Sequence, residues 1–111
     1  MELTHFEKEG VLVLEPKGKI MGGPDATVLH EKLHDLIEQG KKKVVIDLAA
    51  VDWMNSTGLG ILISGVTTLR NDNGEMKLSN VNAKIKSLLE ITKLLGVFDI
   101  HGTVDEAIDA F

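Results

Sequence analysis

The sequence predicts a single α/β domain, a mixed sheet of four to five strands that opens with an antiparallel hairpin and carries about four helices. Three observations predict it. The first seventeen residues are rich in strand-forming types and broken by a Lys8-Glu9-Gly10 turn, the pattern of a hairpin. Short apolar runs, above all Lys43-Val44-Val45-Ile46-Asp47-Leu48, then alternate with stretches whose apolar residues recur every three or four positions, as they do when strands and helices alternate around one sheet. Each such stretch begins at a residue suited to starting a helix and ends at a glycine or turn suited to stopping one.

Taken in order, Glu2 to Glu7 and Val11 to Lys17 are the hairpin strands, with Leu12 and Leu14 on one face and Val11 and Val13 on the other. Gly22-Gly23-Pro24-Asp25 is a loop. Pro24 introduces a helix from about Asp25 to Glu38, with Ala26, Leu29, Leu33, Leu36 and Ile37 as its buried stripe and Gly40 as its stop. The Lys43 to Leu48 strand leads into a loop and a second helix, Ser56 to Arg70, capped by Asn55, whose Leu59, Leu62, Ile63, Val66 and Leu69 face the sheet. Gly60 and Gly65 cost that helix about 1 kcal/mol each relative to alanine, so a close approach to the sheet or to a partner is expected at both. Asn71-Asp72-Asn73-Gly74 is a turn and Glu75 to Ser79 a strand. Asn82 caps a helix from Ala83 to Leu95 that Gly96 stops. Val97 to Ile100 adds a short strand, and Thr103 caps a last helix with Val104, Ala107, Ile108 and Phe111 on one side. The connections between parallel strands are expected to be right-handed.

Composition narrows the function. A chain of 111 residues holds one core and buries roughly two-thirds of its unfolded surface. No run approaches the eighteen or so apolar residues of a membrane span, and Met1 to His5 lack the basic start of an export signal, so a cytoplasmic protein is expected. The absence of cysteine removes disulfides, thiolate metal sites and thiol nucleophiles. A net charge of −5 is the wrong sign for nucleic acid, whose affinity rests on phosphate neutralisation. Lys41, Lys42 and Lys43 are the only basic run and read as cations at a helix end.

Several motifs suggest chemistry and fall short. His30-Glu31-Lys32-Leu33-His34 matches the H-E-x-x-H pattern of zinc hydrolases on a helix. A catalytic zinc needs a third protein ligand, and Ile37 and Gly40 stand where the metzincin extension would place its glycine and third histidine. A zinc-dependent hydrolase through His30, Glu31 and His34 is the enzymatic alternative. Gly58-Leu59-Gly60 lacks the third glycine of a dinucleotide loop, since Ile63 holds its place, and Gly60 to Gly65 is followed by Val66 and Thr67 instead of the P-loop lysine. Asp47, at a strand end, reads as a hydrogen-bond acceptor for the loops there. No cofactor or metal is expected.

Ser56 is the residue with the clearest functional prospect. The unpaired amides of a helix's first turn carry partial positive charge, so a phosphoryl group there changes the surface without disturbing the fold. The segment Asp52-Trp53-Met54-Asn55-Ser56-Thr57-Gly58-Leu59-Gly60 resembles the signature loop of anti-sigma factor antagonists, the bacterial branch of the STAS domains. The likeness extends through Gly18-Lys19-Ile20, Gly74 to Leu78, Leu88-Leu89, Leu94 to Phe98 and Asp105-Glu106-Ala107. It implies a STAS-like fold over the whole chain and a protein-binding module in place of an enzyme. In that family the unphosphorylated protein sequesters an anti-sigma factor that is also a serine kinase and so releases a sigma factor. Phosphorylation of the serine breaks the complex, and a phosphatase restores it.

Carried over, the resemblance makes Ser56 the phosphorylated residue, with Thr57 as second candidate. It places partner contacts at Met21, Gly22, Gly23, Asp25, Asn55, Ser56, Thr57, Gly58 and Gly60, on a monomer or weak homodimer. Asn55 and Met21 stand where the family commonly has aspartates. Other STAS domains act as scaffolds in stress-sensing or lipid-transport complexes, a second alternative.

Overall fold

The computed structural model describes residues 1–111. Strand β1 (Glu2–Lys8) pairs antiparallel with β2 (Val11–Ile20), helix α1 (Pro24–Glu38) follows, and then come β3 (Lys43–Asp47) and β4 (Val51–Met54). Helix α2 (Ser56–Asn71), β5 (Glu75–Ser79), α3 (Ala83–Ile91), a single 3-10 turn (Leu95–Val97), β6 (Asp99–His101) and α4 (Val104–Asp109) complete the chain. The sheet runs β1-β2-β3-β5-β6, parallel except at the hairpin, and β4 pairs in parallel with the far end of β2.

The sheet therefore has six strands, one or two more than the sequence predicts. The expected hairpin strand ends at Lys17, but β2 continues through Gly18 to Ile20. The expected strand through Leu48 stops at Asp47, and what reads as loop before Asn55 is β4. Gly18, at φ +94°, kinks the extension without ending it, and its amide donates to the Ala50 carbonyl at 2.9 Å. The pairing then jumps from Gly18–Val51 to Lys19–Trp53, leaving Asp52 as an extra residue, which is a β-bulge. The bulge breaks the alternation by which a strand is recognised in sequence.

Alternation along the strands sorts two cores. Leu12, Leu14, Val44, Ile46, Met76 and Leu78 point to the face covered by Leu29, Leu33 and Leu36 of α1, Leu59, Leu62, Val66 and Leu69 of α2, and Ile85 and Leu89 of α3. Val11, Val13 and Val45 point the other way and meet Ala107 and Ile108 of α4. Both faces of the hairpin and the stripes of α1, α2 and α4 match the expectation; Ala26, Ile37 and Ile63 are only partly buried at the core's margin.

The helix ends follow one rule with different residues. Gly40 at φ +82° ends α1, with the Lys41 amide returning to the Leu36 carbonyl. Asn73 at φ +62° ends α2 in the same way, with Gly74 returning to Leu69, and Lys93 at φ +60° ends α3, with Leu94 returning to Leu89. This is the left-handed Schellman stop, usually glycine's place. Because a lysine fills it in α3, that helix ends at Ile91 and not at Leu95, and Gly96 lies beyond it in the 3-10 turn.

On the α4 face, Lys77 is buried with its ammonium on Asp99 and, at 3.1 Å, on Glu75, below the Phe111 ring. Burial pulls the Lys77 pKa down, but the two carboxylates outweigh it and hold it above the usual lysine value; the Lys77 hydrogen bond holds Asp99 below the usual aspartate value. A lowered carboxylate pKa stabilises the fold above about pH 4, the unfolded value, and that contribution is lost as pH falls through the folded one. Asp99→Asn should thus be less stable than wild type at pH 6 and should close the gap as the pH falls through the lowered folded-state value of Asp99, read from denaturant midpoints at each pH.

Candidate functional site

The site is built where β2 and β4 end together. Ile20 and Met54 pair as the last residues of their strands, and both are fully buried. The chain leaves β4 through Asn55, whose extended backbone and side-chain oxygen cap α2 by accepting from the Gly58 amide at 2.8 Å. Its other side-chain atom, Nδ2, donates across to the Met21 carbonyl at 3.2 Å. One asparagine thus caps the helix and ties it to the loop after β2.

That loop is fixed from its other end too. The Met21 amide donates to Asp25 Oδ2 at 3.2 Å, and the N-terminal ammonium lies 3.4 Å from Asp25 Oδ1. Asp25 also sits in the first turn of α1, where a carboxylate offsets the partial positive charge of a helix that Gly23 leaves without a side-chain cap. Gly22 is buried at φ +90°, and a side chain there would meet Thr57 Cγ2 at 2.4 Å.

Ser56 is the first residue of α2 and is exposed, as is Thr57. Gly58 is satisfied by the Asn55 cap, and Leu59 makes the first helical bond, to the Asn55 carbonyl at 2.9 Å. The Ser56 and Thr57 amides precede that bond and have no helical partner. No acidic residue occupies the first turn of α2, so its partial positive charge is uncompensated by its own helix. An anion on the Ser56 oxygen would be accommodated there.

The structure brings Met21, Gly22, Gly23 and Asp25 together with Asn55, Ser56 and Thr57, and it separates the two glycines of the Gly58-Leu59-Gly60 segment. Gly58 is buried against its own chain. A Cβ there would lie 2.0 Å from the Ile20 carbonyl oxygen, so the backbone it admits is that of β2 and not a partner's. Gly65 is likewise explained from within, since a Cβ would meet Leu33 Cδ1 and Met76 Cε, both at 2.8 Å. Gly60 is exposed with open space around its Cα. Gly60→Ala should accordingly raise stability by about 1 kcal/mol, measurable as a higher denaturant midpoint.

The competing motif ends on the surface. His30 and His34 are exposed on α1 with their rings stacked 5.7 Å apart, and no group of three or more His, Asp or Glu side chains is placed to hold a metal. A catalytic zinc takes three protein ligands, so His30, Glu31 and His34 do not make such a site. Asp47 acts as a loop acceptor, as expected: its Oδ1 receives the Ala49 amide at 3.1 Å, Asn80 Nδ2 at 2.9 Å and Ser79 Oγ at 3.3 Å. It ties the β3–β4 turn to the end of β5. No helix is long and apolar enough to cross a membrane.

The STAS domain model matches residues 5–107, nearly the whole chain. The chain belongs to the STAS domain family. A Bordetella bronchiseptica protein, BtrV, assigned by name only as an anti-sigma factor antagonist, is 27% identical over 111 residues, covering 100% of this chain and 95% of its own. The anti-sigma-B factor antagonist of Bacillus subtilis is 39% identical over 75 residues, 68% of each chain. Among solved structures, the Bacillus anti-sigma factor antagonist SpoIIAA shares the fold. Its unphosphorylated form superposes with a TM-score of 0.75 at 17% identity, covering 98% of this chain and 96% of its own. Its phosphorylated form gives 0.75 at 18%, covering 98% of each.

The STAS domain thus presents two exposed hydroxyl residues, Ser56 and Thr57, at a capped helix start held beside a braced loop. Sequence reasoning found the cap and both segments. It did not single out Trp53, two residues before the cap, which is 38% exposed on β4.

Proposed function

We propose that this STAS domain is a cytoplasmic anti-sigma factor antagonist switched by phosphorylation of Ser56. Unphosphorylated, it binds an anti-sigma factor through the surface formed by Met21 to Asp25 and Asn55 to Thr57, with Gly60 at its margin, and so releases a sigma factor. The anti-sigma factor, acting as a serine kinase, transfers phosphate to Ser56 and loses its hold; a phosphatase reverses the change. The protein is a ligand and a substrate and carries no catalytic residue of its own.

The observation that carries this reading is the exposed Ser56 hydroxyl at the first position of α2, beside amides that have no helical partner. Its relatives' names and the existence of SpoIIAA in both phosphorylation states support it. Thr57 is the second candidate, but its Cγ2 is packed over Gly22, which restricts its rotation toward a kinase. The test is incubation with ATP and each purified anti-sigma factor of the source organism, followed by mapping of the phosphate by mass spectrometry. Phosphate on Ser56, absent in Ser56→Ala, is the expected result. Phosphate elsewhere, or none with any of them, would refute the proposed switch.

A further inference from the structure

The β-bulge between β2 and β4 decides which side chain faces outward next to the switch. Val51 points into the core and is 1% exposed. With regular alternation Trp53 would follow it inward and Met54 would face solvent. The extra residue at Asp52 inverts this: Trp53 is exposed and Met54 fully buried. Bulges re-aim side chains in this way next to functional sites. This leaves a large apolar side chain 38% exposed three residues before Ser56.

Its surroundings continue the surface around Ser56. Lys19, the pairing partner of Trp53 on β2, is exposed and makes no ion pair within the chain. Two residues on, Met21 is 42% exposed, and its carbonyl is the one held by Asn55. Asp52 lies apart, in the hollow it shares with Asn82 and Lys84. Of the five large apolar side chains left exposed, Met21 and Trp53 are therefore the two that flank the loop carrying Ser56. Tryptophan and methionine are enriched in protein interfaces, and a few such anchors carry most of the binding energy.

We infer that Trp53, turned outward by the bulge and flanked by Met21, is the apolar anchor that seats in a socket of the anti-sigma factor, and that the socket carries a carboxylate facing Lys19. The inference rests on the proposed function, and it adds that affinity and switching reside in different residues. Trp53 and Met21 hold the partner; Ser56 at their margin decides whether they can.

Trp53 is the only tryptophan in the chain, so it can be tested in place. The full chain is prepared with fluorotryptophan and titrated with each purified anti-sigma factor of the source organism, and Trp53→Ala and Lys19→Glu are measured by calorimetry beside it. The expected result is that the single fluorine resonance shifts on binding and that Trp53→Ala weakens binding by at least tenfold at unchanged melting temperature. Lys19→Glu should weaken it less, with an effect that fades as salt is added. Binding by wild type with an unmoved resonance and an undiminished Trp53→Ala would overturn the anchor and leave the switch standing. No binding by wild type to any of them would refute both. If Trp53→Ala melts lower, Trp53→Phe, which keeps the ring, separates the cases: recovered fold with recovered affinity supports the anchor, and recovered fold with affinity equal to that of Trp53→Ala overturns a simple apolar fit.

Discussion

Ser56→Asp should melt at or above the wild-type temperature and yet bind the anti-sigma factor more weakly, while Ser56→Ala keeps the wild-type affinity within a few fold. The opposite signs come from one charge in two settings. In the free protein a carboxylate at the start of α2 meets amides with no helical partner, an arrangement that stabilises by about 0.3 to 1 kcal/mol. In the proposed complex the same position is covered. A charge buried without a partner costs about 3 to 5 kcal/mol, and each 1.4 kcal/mol is about tenfold in affinity. Phosphoserine, with about −1.5 to −2 charges, should therefore lower affinity by roughly a hundred- to several-thousandfold, and aspartate, with a single charge, by less. Calorimetric unfolding and titration of the three proteins separate the effects. Equal affinity of Ser56→Asp and Ser56→Ala would place the interface elsewhere, and a large drop in melting temperature for Ser56→Asp would show that the site does not tolerate an anion.

The parts of this fold that were legible in the sequence are those where one local rule acts alone. The Leu12/Leu14 and Val11/Val13 faces, the stripe of α1 and the side-chain caps Asn55, Asn82 and Thr103 each follow from periodicity or from one side-chain bond, and each is found. The misreadings occur where a residue takes another's usual place. Lys93 in a left-handed stop ends α3 four residues early, and a left-handed Gly18 inside β2 reads as the strand's end when it is a kink. Strand β4 is hidden because its bulge puts Asp52 and Trp53 side by side in solvent. The site behaves alike. Its two segments are legible separately, but the bond from Asn55 to the Met21 carbonyl joins residues 34 positions apart and has no sequence signature. Gly58 and Gly60 look equivalent in the signature segment, and only the position of Ile20 tells them apart.

That distinction gives the second large effect: Gly58→Ala should destabilise the protein by about 2 kcal/mol or more, where Gly60→Ala stabilises it. Helix propensity favours alanine at both positions by about 1 kcal/mol, so packing decides the sign. At position 58 the new methyl would sit 2.0 Å from the Ile20 carbonyl oxygen, 2.8 Å from its carbon and 3.1 Å from its Cγ2. The first two are backbone atoms of a paired strand and cannot swing aside. Relief requires the start of α2 to move away from β2, which stretches the bond from Asn55 to the Gly58 amide and the bond from Asn55 to Met21. Overpacking of this kind costs about 1 to 3 kcal/mol in side-chain cores, and a backbone collision falls at the upper end, a loss of roughly 10 °C in melting temperature. Thermal unfolding of the two variants beside wild type is the measurement. Gly58→Ala melting with or above wild type would mean that α2 has slack at its first turn. Where it does not, the same rigid contact that forbids a methyl at Gly58 also fixes the start of α2 that carries Ser56, so the variant should also lose the proposed phosphorylation at temperatures where it is still folded.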